Sequence, residues 1–598
     1  MTRTLCMEEI SERVNSLECY TACRLIPLDK SPGVRPIGIG EVLRRIIGKS
    51  IMCLVKSDVI DAAGNLQLCA GQDSGCEAAV HAMKDIFEDE ETDGVLLVDA
   101  SNAFNSLNRR VLLHNLKIIC PKLAIYVTNC YQTQARLFVT DGLEISSCEG
   151  TTQGDPTAMA IYALGIRPLL ELLIIHEVKH AAYADDISAG GELARLKNWW
   201  QMLIEKGPLI GYYPEASKSW LIVKADKEEL ASEVFKSFNI NITSEGRKHL
   251  GASIGSLKYK KRYVEDLVNT WVNELLSLSA IAEVQPQAAY SAFISGYRHK
   301  FNYYIRTIPG ISELLQPIEN VIRTKLIPSL CDRRACSDDE RVLLSLPVKM
   351  GGLGLINVVE TSKMEYEFSK LVTNELTKEI KHQNLMVTTS ALTSKQIKSM
   401  VSRERNVFYL NKLKDVTTRL SQDEAKLNEI ARSTVASSLL TTLPLKDHGF
   451  CLNKREFLDS ISLRYGWSIK GLPLVCACGK QNSIEHALSC HVGGFVNIRH
   501  NELRDLMVTL LQEVCRDIRC EPPLIPLTTE ATDFPRSAVT DAEARADISV
   551  RSFWQRGQRA FLDVRIFNPI APSYRRQTMS SLFTFKKKRK KDLITDAS

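Results

Sequence analysis

Asp185 and Asp186 stand side by side in Tyr183-Ala184-Asp185-Asp186, and a third acid, Asp99, ends the apolar run Val95-Leu96-Leu97-Val98. Adjacent carboxylates at a hairpin tip repel each other unless a cation lies between them. A partner acid at a strand end far upstream makes that cation a divalent metal. Two-metal carboxylate sites perform in-line phosphoryl transfer, one metal activating the attacking oxygen and the other steadying the leaving one. A lone Asp-Asp pair is also what a solvated turn looks like, so the reading rests on the segments around the acids.

Those segments must position the acids. The run before Asp99 is expected as a buried strand, followed by a turn and a helix opening near Ser106. Phe104 falls at the edge of the same pocket or in the core behind it. In Gly150-Thr151-Thr152-Gln153-Gly154-Asp155-Pro156, Asp155 can cap a helix with Pro156 at its first position, running through Met159, Tyr162, Ala163 and Leu164 toward Leu169. Gln153 and Gly154 then bring a polar side chain and a bare backbone against the pocket. Ala181-Ala182-Tyr183 and Ile187-Ser188-Ala189 read as a short hairpin with the acids at its turn. Downstream, Lys218 sits on a turn, and His249-Leu250-Gly251 closes the block.

Taken in order, these segments resemble the fingers and palm of a reverse transcriptase over residues 20–260. The resemblance implies that Asp99, Asp185 and Asp186 hold two Mg2+ ions, hard cations that take oxygen ligands and keep several waters. Asp99 and Asp185 would bridge both ions, with Asp186 in weaker contact. Gln153-Gly154-Asp155-Pro156 matches the second palm motif. Lys218 matches the lysine that protonates the leaving pyrophosphate, and His249-Leu250-Gly251 the primer-grip turn. Arg35, in Val34-Arg35-Pro36-Ile37-Gly38-Ile39, offers a planar fork for the incoming triphosphate. Phe104 would lie under the sugar C2′ and exclude a 2′-hydroxyl. RNA-dependent RNA polymerases usually carry a polar residue there, and Gly-Asp-Asp in the third motif, so DNA is the implied product. Arg44, Arg45 and Lys49 follow on an expected helix, either as a nucleic-acid contact or as a solvated basic face.

At 598 residues the chain should hold several domains, and its 44% apolar and 24% charged residues are ordinary for globular protein. The net charge of +6 is uneven: Asp85 to Asp93 is acidic, whereas Ser573 to Lys591 has no acid and many bases. No signal peptide is expected at the start, and no apolar run is long enough to span a bilayer. Seventeen cysteines without a secretion signal fit a reducing compartment.

Residues 261–310 read as helices in which aromatics mix with bases, from Tyr297 and Arg298 to Tyr304 and Arg306, as suits a thumb gripping template and primer or a plain amphipathic helix. The run Leu346-Pro347-Val348-Lys349-Met350-Gly351-Gly352-Leu353-Gly354-Leu355 resembles runs beyond the thumb of non-LTR retrotransposon proteins. Further on, Cys476, Cys478, His486 and Cys490 form C-x-C-x7-H-x3-C, which can close a tetrahedral Zn2+ site. This pattern resembles the zinc knuckle of site-specific non-LTR retrotransposons, which precedes a restriction-like endonuclease. Arg499-His500-Asn501 opens a helical stretch, and Arg545–Val550 and Ala560–Phe567 alternate like strands. Asp547 and Asp563 could together hold a metal that cuts phosphodiesters, with Asp563 and Arg565 on one strand face. That resembles the PD-(D/E)xK nuclease pattern, with Ala546 in place of its proline and Arg565 in place of its lysine.

The expected architecture is an α+β right-hand polymerase of fingers, palm and thumb, with a helical linker, a zinc knuckle and a small α/β nuclease-like domain. The expected boundaries are 1–260 for fingers and palm, 261–358 for the thumb, 359–470 for the linker and 471–495 for the knuckle. Residues 496–575 are the nuclease-like domain and 576–598 a disordered basic tail. The implied activity is that of a retrotransposon's RNA-directed DNA polymerase, target-primed, with an active or decayed endonuclease. Its partners would be an RNA template, a DNA primer or target and deoxynucleoside triphosphates, in the nucleus after cytoplasmic synthesis and not at a membrane. The abrupt start and the run Lys586–Lys591 at the end are also expected of a truncated element. A group II intron-type enzyme and a catalytically inactive, nucleic-acid-binding relic are the rival readings.

Overall fold

The computed structural model describes residues 2–11, 17–30, 33–175, 177–332, 336–387, 391–433, 435–492, 495–523 and 545–566, and positions 568, 571, 574, 577 and 581. The basic run Lys586–Lys591 lies outside the described residues. The chain forms two compact units, both discontinuous in sequence. The first gathers Met1–Leu275, Ser295–Val321 and Asn357–Val407; the second gathers Leu276–Ile294, Ile322–Ile356 and Phe408–Ser598. Helices mix with mostly antiparallel strands, the α+β class expected.

In the first unit the strands are β1 Cys23–Asp29, β2 Val34–Gly40, β3 Gly94–Val98, β4 Ala135–Phe138, β5 Glu144–Ser147 and β6 Lys179–Tyr183. They continue with β7 Asp186–Gly191, β8 Trp220–Val223, β9 Asn241–Thr243, β10 Gly246–His249 and β11 Ala252–Gly255. They make a four-stranded sheet ordered β2-β1-β4-β5, a five-stranded sheet ordered β6-β7-β3-β8-β9, and a separate β10–β11 hairpin.

The five-stranded sheet is apolar on both faces because both are covered. Val95, Ala181 and Ile222 pack on Ala79, Met83 and Ile86 of helix Gly75–Glu88. Leu96, Val98, Ile187, Leu221 and Val223 join the main core with Trp199 and Trp200, both fully buried. A strand buried on two faces carries a continuous apolar run instead of alternation, which is why Val95–Val98 is legible as a strand. Gly190 lets the covering helix approach, since a Cβ there would meet Ile86 Cγ2 at 2.5 Å. Helix Gly75–Glu88 is in turn tied to two later helices. Arg306 of Arg298–Thr307 bonds Glu77 (2.8 Å) and Glu365 (3.1 Å) of Val358–Lys381. His81 meets Ser369 at 2.8 Å.

After Asp99 the expected helix near Ser106 divides. A single turn, Ala103–Ser106, precedes the main helix Arg109–Ile119, whose first turn is capped by Asn108 accepting from the Val111 N–H (3.1 Å).

In the second unit the glycine-rich run 346–355 is a turn whose carbonyls are satisfied by side chains. Tyr290 donates to Leu353, Tyr465 to Gly351 and Arg341 to Leu355 (2.9, 3.0 and 2.7 Å). The buried Arg464 guanidinium reaches the carbonyls of Val348 and Gly352. These side chains pack the run against the helices around it. Toward the C-terminus, helix Val496–Val514 precedes a three-stranded antiparallel sheet of β12 Arg516–Cys520, β13 Ile548–Arg551 and β14 Arg559–Leu562, in that order. Its small core is Leu511, Ile548 and Val564.

Candidate active site and metal centre

Asp99 directly follows β3, and β3 pairs antiparallel with β7 so that Val98 faces Ile187. Continuing that register puts Asp99 across from Asp186. The β6–β7 hairpin pairs Tyr183 with Asp186, leaving Ala184 and Asp185 as its tight turn. Ala184 has φ +56°, a left-handed conformation that side chains other than glycine adopt rarely. The three acids therefore occupy neighbouring strand ends of one sheet.

Their electrostatics are those of crowded like charges. Loss of hydration, then the charges of Asp185 and Asp99, push the Asp186 carboxyl up to about 6, although a good part of its surface remains exposed. Loss of hydration and Asp99 also raise Asp185, against which Arg35 and Lys30 act by favouring its charge. Both cations belong to the β1–β2 arm: Arg35 is on β2, exposed, and Lys30 follows β1. Lys30 carries no motif that marks it in the sequence.

Lys218 ends a short turn, Ala216–Lys218, with an exposed side chain. That loop is stapled to the end of β3. Glu215 N–H donates to the Asp99 carbonyl (2.8 Å), Ser101 N–H donates to Tyr213 (2.9 Å), and Asp99 N–H donates to Ser219 Oγ (3.2 Å). Phe104 is half-buried, its ring stacked on Tyr162 with centroids 4.3 Å apart and planes 22° apart. Gln153 gives its carbonyl to the Gly38 N–H of β2 (2.7 Å), and Gly154 has φ +109° with no room for a Cβ against the Gly38 carbonyl at 2.5 Å. Gln153, Thr152, Pro36 and Gly38 line a cavity of about 330 Å³.

Two expectations are corrected. Asp155 does not cap a helix started by Pro156; the helix is Ala158–Leu172. One Asp155 oxygen takes the Thr157 N–H and hydroxyl (2.8 and 2.6 Å), and the other takes Arg44 (2.6 Å) and the Tyr131 hydroxyl (3.1 Å). Arg44 accordingly is buried and not part of a solvated face, whereas Arg45 and Lys49 are exposed. His249-Leu250-Gly251 is the β10–β11 turn as expected, with Gly251 and Leu250 carbonyls held by the Tyr263 and Tyr303 hydroxyls, but its histidine is buried and burial lowers its pKa to about 4.

Two residues that no motif marked hold the acid turn from behind. Gln67 donates from Nε2 to the Ala184 carbonyl (3.1 Å) and accepts the Ala184 N–H on Oε1 (3.0 Å). The Tyr212 hydroxyl donates to the Asp185 carbonyl (2.9 Å). A clue to Gln67 exists in the sequence: it is a polar residue inside Leu66-Gln67-Leu68-Cys69-Ala70, and a buried polar group needs a partner.

The second unit carries the metal-ligating group. One ligand atom from each of Cys476, Cys478, His486 and Cys490 lies within 4.8 Å of the others. Gly479, at φ +80°, turns the chain so that its N–H donates to the Cys476 carbonyl (2.8 Å), while the Cys476 N–H donates to Lys480 (2.9 Å). His486 lies on helix Ile484–Ser489, capped by Ser483, and Cys490 follows that helix by one residue. Three sulfurs and an imidazole converging in this way suit Zn2+.

The nuclease-like residues come together differently from expectation. β14 ends at Leu562, so Asp563 and Arg565 lie beyond the strand, and Arg565 pairs with Asp563 at 2.6 Å. The strand stops because the Val564 N–H is taken by the Asp547 carboxylate (2.5 Å) instead of a neighbouring strand. The other Asp547 oxygen meets His500 Nε2 at 3.1 Å. His500, on helix Val496–Val514, was expected only as part of a helix start.

No family model and no curated protein sequence matches the chain. Among solved structures it is similar to apo telomerase from Candida tropicalis, at 10% identity and a TM-score of 0.34 over 65% of this chain and 69% of that one. A form of that telomerase truncated from its C-terminal domain aligns at 10% identity and a TM-score of 0.31, over 40% of this chain and 54% of that one. Telomerase from Candida albicans in complex with a TWJ fragment of telomeric RNA aligns at 10% identity and a TM-score of 0.31, over 64% and 68%. The likeness is distant on every measure.

Proposed function

We propose that the chain is an RNA-directed DNA polymerase of a retrotransposon, primed from a nick in target DNA. The observation that carries this reading is the meeting of Asp99, Asp185 and Asp186 at adjacent strand ends of one sheet, with Arg35 and Lys30 acting on Asp185. An all-oxygen set in which the charge of Asp99 raises Asp185, and the charges of both raise Asp186, is a donor set for hard divalent cations, so Asp99, Asp185 and Asp186 would hold Mg2+. Bound there, Mg2+ supplies activation of the attacking oxygen and neutralisation of the leaving one. The residues of the chain do the rest. Arg35 grips the triphosphate by its planar fork. The primer 3′-hydroxyl gives up its proton to water and its oxygen bonds to the α-phosphorus as the bond between that phosphorus and the bridging α–β oxygen breaks, and Lys218 Nζ gives a proton to the departing pyrophosphate. Gln153 lines the cavity that would take the nucleotide, and Gly154 lets the β2 backbone approach it. The test is primer extension on an RNA template by the purified chain; no extension by the wild type would leave a nucleic-acid-binding relic.

Phe104 supports DNA as the product, because a half-buried ring backed by Tyr162 is a rigid wall. Phe104→Ala is expected to raise the ratio of ribonucleotide to deoxynucleotide incorporation about tenfold or more, as removing bulk from a discriminating pocket does. An unchanged ratio would reduce Phe104 to a core residue.

Cys476, Cys478, His486 and Cys490 are proposed to hold one structural Zn2+. Elemental analysis of the full chain should find one zinc per molecule, and Cys478→Ser should lose it with local unfolding, since metal binding in so small a segment supplies its folding energy. Full zinc retention in that variant would place the metal elsewhere.

The proposed endonuclease rests on Asp547 and Asp563, with Arg565 beside Asp563. Arg565 keeps its proton and so steadies a phosphate but makes a poor general base, which predicts weak, metal-dependent nicking of duplex DNA. Nicking should vanish in Asp563→Ala while primer extension persists. If the Asp547/Asp563 double variant still nicks, the activity lies in another part of the chain.

A further inference from the structure

We infer that Gln67 is a positioning residue that sets the divalent-metal affinity of the acid site by fixing the Ala184–Asp185 turn. The inference rests on the proposed polymerase site. Leu66 and Leu68 pair with Ala182 at the open edge of β6: Ala182 N–H donates to Leu66 (2.7 Å) and Leu68 N–H to Ala182 (2.8 Å). That short parallel pairing brings the Gln67 side chain under the turn. Its amide then grasps both polar groups of Ala184, N–H and carbonyl, much as a neighbouring strand would. Gln67 is fully buried, so neither contact is exchanged with water.

The turn needs such a hold for two reasons. Ala184 sits at φ +56° with a Cβ, a conformation a free chain leaves readily. It also carries Asp185 and Asp186, which repel each other and Asp99. A buried two-point hydrogen bond keeps both carboxylates aimed at the end of β3 before any cation arrives. Groups that orient metal ligands from behind change affinity by about 10–100-fold when removed.

The experiment is a Mn2+ titration of the full chain without nucleotide, followed by electron paramagnetic resonance of free Mn2+. The site in question is the one that Asp185→Asn abolishes. Gln67→Met, similar in size but unable to hydrogen-bond, is expected to weaken that site about tenfold or more, with circular dichroism and zinc content unchanged. Ala184→Gly added to Gln67→Met should recover part of the loss, because glycine takes a positive φ freely; a merely structural role for Gln67 would give no such recovery. Should Gln67→Met fail to fold, Gln67→Asn carries the same test, since its shorter amide cannot reach both polar groups of Ala184. Affinity within twofold of the wild type in the folded variant overturns the inference, as does loss without recovery by Ala184→Gly, or a wild type with no Asp185-dependent Mn2+ site. A wild type that binds Mn2+ at Asp185 but extends no primer would instead overturn the polymerase reading and leave the role of Gln67 standing.

Discussion

Asp185→Asn is expected to lower RNA-templated primer extension by roughly 10³-fold or more while leaving binding of the RNA–DNA hybrid near wild type. Loss of a single preorganised transition-state contact already costs about 10²–10³ in rate, and Asp185 is the acid on which Asp99, Arg35 and Lys30 all act. The amide keeps the shape of the carboxylate and, on Asp185's backbone, the Tyr212 bond, so the change is electrostatic and not a collapse of the turn. Extension that survives the substitution would show Asp185 to be a bystander. The pH dependence of stability without divalent cations carries a second signature. Loss of hydration and the charges of Asp185 and Asp99 push the Asp186 carboxyl of the metal-free chain up to about 6, above its ordinary value. A carboxyl whose folded pKa is raised binds more protons folded than unfolded between about 4 and 6, so folding stability falls as pH rises across that window. Asp186→Asn should therefore raise the melting temperature above pH 6, with the advantage shrinking as pH falls toward 4.

How much of this was legible in the sequence depends on how local each constraint is. The acids were legible because Asp99 ends an apolar run and the Asp185-Asp186 pair sits between two more, and a sheet covered on both faces writes itself as such runs. The cysteine–histidine group was legible because its spacing is short and its turn is closed by Gly479 within the motif. What escaped was set by contacts between distant segments. Gln67 and Ala184 meet only because Leu66–Leu68 adds to the edge of β6, and no spacing rule announces an isolated bridge. His500 joins Asp547 across a helix and a sheet. The second nuclease strand was read too long because alternation continues past Leu562, while the backbone leaves the sheet to satisfy Asp547. Composition could not separate Arg44 from Arg45, since neighbours on a helix point about 100° apart and only the fold decides which faces inward.

That difference between neighbours gives the largest expected effect on stability. Arg44 and Asp155 form an ion pair at 2.6 Å with side chains only 2% and 4% exposed. Arg44 also donates to the Thr21 carbonyl (2.7 Å), and its guanidinium lies 5.4 Å from the centre of the Tyr131 ring. The pair joins helix Val42–Leu54 to the segment that carries Gln153 and Gly154, so it fixes one wall of the 330 Å³ cavity beside β2 as well as the core. Taking two charges out of water is costly, and such a pair adds little over a well-packed apolar substitute. Removing one partner is different, because the other charge stays buried and alone, at a cost of about 3–5 kcal/mol. Arg44→Ala should therefore lower the melting transition of the first unit by roughly 4–7 °C, whereas Arg45→Ala, one residue on and exposed, should change it by less than about 1 °C. Scanning calorimetry separates these outcomes. Equal, small shifts in both variants would mean that Arg44 is solvated after all. A double change, Arg44→Met with Asp155→Asn, removes both charges while leaving an amide oxygen for the Thr157 donors, and should recover much of the loss, because what destabilises the single variant is the stranded carboxylate and not the absence of the pair.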